Sequence, residues 1–166
     1  MEGSPAAGAG VFTGLTDAQV ALVLAVGNDP LKLCAAAQGL LRLPGDAFGA
    51  ELSDQHLAER NTRPASGLLQ RALEFDGSPL DVARPAEHRV VGTCRHYAVL
   101  ATAFLRAVRI PARARCGFAS YFVPGKHVDH WITEHWSEGD RRWLRTDPEV
   151  LGTDTVDRPD DLRPAD

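Results

Sequence analysis

Apolar residues in the middle of the chain recur at helical spacing. From Cys94 to Val108, the positions Ala98, Ala101, Leu105 and Val108 fall at three- and four-residue steps, which predicts a helix with one buried face. Ile110 precedes Pro111 and is pushed out of helical geometry, so this helix ends near Val108 or Arg109. Upstream, Thr16-Asp17-Ala18-Gln19 has the spacing of a capping box and opens a helix that stops at Gly27. Asp29-Pro30 joins a cap residue to a proline at the first helical position, and Leu31, Leu33, Leu40 and Leu41 carry a second helix to Leu43-Pro44-Gly45. Further helical segments are expected from Ser53 to Glu59 and from Ala65 to Phe75. The stretch from Pro79 to Arg89 reads as a proline-punctuated loop.

Beyond Pro111 the pattern changes. Residues 112–123, 129–136 and 141–150 are rich in aromatic and β-branched side chains and are separated by Pro/Gly or Glu/Gly turns, as strands are. Helices first and strands last predict an α+β fold, with the helix led by Cys94 packed on an antiparallel sheet. The Gly/Ala/Ser-rich residues 1–10 read as a disordered N-terminus, 11–150 as one domain, and 151–166 as an acidic irregular tail.

Composition narrows the function. A length of 166 residues, 44% apolar and 24% charged, suits one soluble globular domain. The net charge of -4 offers no basic footprint for a phosphate backbone, so nucleic acid is not an expected partner. The longest apolar run, Val20 to Val26, is too short for a membrane span, and the expected location is the cytoplasm. Cys34, Cys94 and Cys116 are odd in number and widely spaced, unlike a disulfide framework.

Among the three, Cys94 stands apart because the N–H groups and positive dipole end of a helix start favour a thiolate. Cys34 lies within an apolar helix and Cys116 alternates with arginines in a strand; both read as structural. A hairpin turn centred on Glu138-Gly139 sets His130 opposite Asp147, on one face of the sheet and with Cβ atoms about 4.5–5.5 Å apart. Asp129, adjacent to His130, points to the other face. A thiol, an imidazole and an orienting carboxylate are the groups that nucleophilic thiol catalysis needs. The cluster His127, Asp129, His130 and His135 also invites a metal reading with Cys94 as a further ligand. It lacks the compact zinc spacings, and His130 and His135 face opposite ways on a strand, so neither metal nor cofactor is expected. Glu134 and Arg145 read as a structural ion pair, Trp131, Trp136 and Trp143 as packing residues, and His88 and His96 as surface or supporting groups.

The segments "GTCRHYAVLATAFLRAVRIPARARCGF", "DHWITEHW" and "RRWLRTDPEV" together resemble the transglutaminase-like superfamily, with its cysteine-led helix, His-Trp strand and Trp-bearing strand closing in Asp-Pro. The resemblance covers roughly residues 85 to 150. It implies a papain-like α+β fold and carries over Cys94 as nucleophile, His130 as base and Asp147 as orienting carboxylate. The chain departs from the family pattern at His96, where an Asp is frequent, and at Arg109, where a helix-ending Gly is usual. No tryptophan precedes Cys94 to serve as an oxyanion donor, which leaves the Cys94 backbone N–H and a second donor unassigned. The implied function is acyl transfer on a protein, peptide or small-molecule amide through a thioester, ending in transamidation, deamidation or hydrolysis. The alternative is a non-catalytic binding module that retains the fold.

Overall fold

The computed structural model describes residues 9–45, 52–164 and 166. The expectation of a disordered N-terminus therefore falls almost wholly outside the described residues.

Local signals set the first helices. Helix α1 (Asp17–Val26) begins at Thr16, whose hydroxyl accepts from the Gln19 N–H at 3.3 Å while the Gln19 side chain accepts from the Thr16 N–H at 3.1 Å. It ends at Gly27, whose φ of 105° a side chain would resist. Helix α2 (Pro30–Gly39) starts from the Asp29 carboxylate, which accepts from the N–H groups of Leu31 and Lys32.

The end of α2 differs from the expectation. The chain leaves the helix at Gly39, and Leu41–Arg42 forms a short strand, β1, parallel to β2 (Val90–Val91). Gly39 lies so close to Ala83 that a Cβ there would come within 3.2 Å of the Ala83 Cα. Burial of Leu41, Val90 and Val91 in this bridge outweighs continuation of a helical apolar pattern. The bridge also aims the chain that enters the Cys94 helix. Glu59 reinforces it by accepting from the Val91 N–H at 2.9 Å and from Arg71 at 3.0 Å.

Ser53 caps helix α3 (Asp54–Ala58), and α4 runs over Ala65–Phe75 as the periodicity requires. Arg84 organises the proline-rich loop by donating to the carbonyl oxygens of Pro79, Val82 and Asp76.

Helix α5 (Cys94–Ala107) is the centre of the molecule, with Leu100, Phe104 and Leu105 fully buried against α1, α2 and α4 on one side and the sheet on the other. Burying each of these side chains stabilises the fold by about 1.5–3 kcal/mol. The helix closes as Arg109 turns left-handed (φ 66°) and the Ile110 N–H returns to the Leu105 carbonyl at 2.9 Å. Pro111 lies just beyond this closure, where it cannot continue the helix.

Three strands, β3 (Ala112–Ala119), β4 (Val128–Ser137) and β5 (Arg142–Thr146), form an antiparallel sheet in the order β3-β4-β5. The architecture is α+β. Strand β5 ends at Thr146 rather than Val150, because Asp147 turns away and its N–H finds the Pro159 carbonyl at 2.7 Å. The Leu162 N–H likewise donates to Arg145, which lays the segment after β5 along that strand. Among the described residues no single helix is long and apolar enough to cross a membrane.

Candidate active site

Cys94 is the first residue of a 14-residue helix, and Thr93 precedes it in extended conformation as the N-cap. His96 completes this start from inside the protein. Its Nδ1 accepts from the Thr93 N–H at 2.9 Å and its other nitrogen lies 3.0 Å from the Thr62 carbonyl, so the ring is buried and structural, not a surface group. Burial, with Arg95 nearby, holds its pKa below the usual value and keeps it neutral. Gly92 is required here: a Cβ at this position would lie 2.9 Å from that of His96.

The β4–β5 hairpin positions the imidazole and its carboxylate by a register other than the expected one. The turn spans residues 138–141, with Ser137 opposite Arg142, Glu134 opposite Arg145 and Thr133 opposite Thr146. Continued past Thr146, this ladder would set Glu149, not Asp147, opposite His130. The displacement is two residues, and an even displacement keeps every side chain on its face. Asp147 therefore remains diagonal to His130, and the bend after Thr146 brings them together.

Their contact is close. Asp147 Oδ2 lies 2.7 Å from His130 Nε2 and accepts from the Tyr121 hydroxyl at 2.6 Å, while Oδ1 accepts from the Glu149 N–H at 2.9 Å. Both His130 and Asp147 are buried, whereas Asp129 is exposed. Cys94 is half-buried, and its sulfur lies within 4.8 Å of a ring nitrogen of His130. With Nε2 on Asp147, Nδ1 is the nitrogen left for the sulfur. Phe122 packs edge-on against the imidazole at 4.8 Å between ring centroids, and Tyr121 at 6.1 Å.

Burial opposes a charge on His130, but hydrogen bonds to Asp147 and Cys94 and the negative charges of Asp147 and Glu149 outweigh it, raising the pKa from 6.5 to about 10. Tyr121 is pushed up by burial and by Asp147, so its hydroxyl stays a donor.

Donor atoms of Cys94, His130 and Glu149 all lie within 4.8 Å of one another. Thiolate, imidazole and carboxylate suit a zinc-type ion as well as acyl chemistry. The two uses exclude each other, because both need the Cys94 sulfur and the same imidazole nitrogen.

Of the residues singled out from the sequence, Cys94, His130 and Asp147 come together. His127 and Asp129 are exposed, and His135 is buried 3.5 Å from the Thr146 hydroxyl. Cys34 is fully buried with its thiol pKa pushed up to about 12 by burial and by Asp29. Trp136 and Trp143 form a cross-strand edge-to-face pair. Tyr121 and Glu149 were missed. Tyr121 lies in an irregular stretch without periodicity, while Glu149 shares strand parity with Asp147 and would have been found by allowing the hairpin a second register.

A cysteine-led helix packed on an antiparallel sheet that presents a carboxylate-bound histidine defines a fold of the cysteine-dependent acyl-transfer class. Residues 63–148, just over half of the chain, match the family model of the transglutaminase-like superfamily, and the chain belongs to that superfamily. No curated protein and no solved structure matches it.

Proposed function

We propose that the protein is a thiol-dependent acyltransferase or hydrolase acting on amides of proteins, peptides or small molecules. The observation that carries this reading is the Cys94 sulfur within 4.8 Å of an imidazole that a buried carboxylate holds by its Nε2. The proton that the Cys94 thiol gives up rests on His130, whose raised pKa keeps the imidazole cationic, and the thiolate attacks the carbonyl carbon of the amide. The imidazolium then protonates the departing nitrogen as the C–N bond breaks, which leaves a thioester on Cys94. An incoming amine or water gives its proton to His130 and releases the acyl group, so transfer and hydrolysis share the first half of the reaction. Asp147 fixes the ring tautomer and stabilises the imidazolium. The Cys94 N–H, at the positive end of α5, faces the developing oxyanion. No step draws on a metal or organic cofactor.

The test is to incubate the protein with a set of peptide amides, quench, and read the mass of the Cys94 peptide. An acyl adduct that is lost in Cys94→Ala supports the reading. A Cys94 that forms no adduct and alkylates with iodoacetamide no faster than a free cysteine across pH identifies a binding module.

A further inference from the structure

The strand face that carries His130 holds a second charged cluster. Glu134, 1% exposed, is shared by three guanidinium groups, Arg113 at 2.6 Å, Arg115 at 2.7 Å and Arg145 at 3.4 Å. The register explains the convergence: Arg113 and Arg145 are the direct partners of Glu134 on either side, and Arg115 is diagonal to it. A guanidinium carries five N–H donors, more than one carboxylate divided among three can satisfy.

A cleft of about 240 Å³ opens beside this cluster. Arg115, Arg145 and Arg163 line it, with Asp166 as the acid on its wall, and Ile132 and Leu162 give it apolar sides. His130 and Tyr121 form one end, and Cys94 is not among the lining residues. The cleft therefore approaches the imidazole from a side other than the thiol.

We propose that this cleft binds a small organic anion, a carboxylate or phosphate carried on an apolar body. The arginines hold the anion, and Ile132 and Leu162 cover the body. Glu134 already fixes two of the guanidinium groups, so less side-chain entropy is lost on binding, and the planar fork matches either anion in two-point contact. Occupation would place a negative charge beside the His130–Asp147 pair, which gives the ligand a route to the chemistry without contact with the thiol.

The site needs no reactive cysteine, so the experiment uses Cys94→Ala protein of full length, labelled with nitrogen-15. It is titrated with 3-phenylpropionate, phenyl phosphate and the uncharged 3-phenylpropanol. Saturable shifts are expected at the amides of Gly117, Phe118 and Leu162, with the alcohol at least about tenfold weaker than the better anion, a difference of about 1.4 kcal/mol. Tighter phenyl phosphate identifies a phosphate ligand, and tighter 3-phenylpropionate a carboxylate. Arg163→Gln, at an exposed position outside the Glu134 cluster, should weaken the anion by a similar factor, and Arg145→Gln by more. The proposal is overturned if the alcohol binds as well as the anions, if the shifts centre elsewhere or do not saturate, or if both arginine variants bind unchanged.

Discussion

At the scale of single residues, the site turns on one carboxylate. Asp147 accepts three hydrogen bonds, from His130, Tyr121 and the Glu149 backbone, and is fully buried. Replacing it with Asn should leave the fold in place but present the wrong hydrogen-bonding partner to the imidazole, lowering turnover roughly thousand- to ten-thousandfold. The same variant should alter stability in a pH-dependent way. The pKa of His130 is raised to about 10, so the pair stabilises the fold fully below about pH 6.5, the unfolded value, and loses that contribution as pH rises through about 10. Urea midpoints of wild type and Asp147→Asn should be furthest apart near pH 6 and converge toward pH 10. A gap that widens with pH would contradict a cationic His130.

Among the elements, α5 carries both the core and the proposed nucleophile. Its buried face meets three helices and two strands, so a cavity in its middle has neighbours on every side that cannot all relax. Leu100→Ala should destabilise the protein by about 2–5 kcal/mol in chemical denaturation. Because Cys94 is held by the helix start, with His96 tied to Thr93 and Thr62, the variant should keep its rate of thiol alkylation while folded. Loss of alkylation in step with stability would show that the core, not the cap, places the sulfur.

For the whole molecule, Glu134 joins all three strands through one buried charge. Burial raises its pKa, but hydrogen bonds and charges from Arg113 and Arg115 outweigh this and hold it below the usual carboxylate value. Its stabilisation is therefore present above about pH 4.5 and lost as pH falls through the lowered folded value. Glu134→Gln should cost about 1–3 kcal/mol at pH 7, less than a fully buried pair because Arg113 and Arg115 stay about half exposed and can return to water. Its urea midpoint should approach that of wild type in acid. An equal gap at pH 7 and in strong acid would mean that Glu134 acts by shape rather than charge.

The chain by itself determined whatever depends on near neighbours. The Thr16 capping box, the Asp29-Pro30 start, the Gly27 stop and a thiol at the head of α5 are written in residues one to four positions apart, where backbone hydrogen bonds are made. The end of α5 near Arg109 was legible for the same reason, since Ile110-Pro111 stops the helix close by. The antiparallel sheet was legible as strands but not as a register: a turn moved by one position displaces the pairing by two, and both versions put His130 and Asp147 on one face. Only the folded chain decided between them, through the four-residue turn closed by Ser137 and Arg142 and the pull of Pro159 on the Asp147 N–H. Tertiary structure also ended α2 at Gly39, because Leu41 gains more by pairing with Val90 than by another helical turn. Tyr121 entered the site in the same way. Tyr121 has no local reason to be there and arrives by packing, whereas Glu149 comes with Asp147, its N–H donating to that carboxylate two residues back.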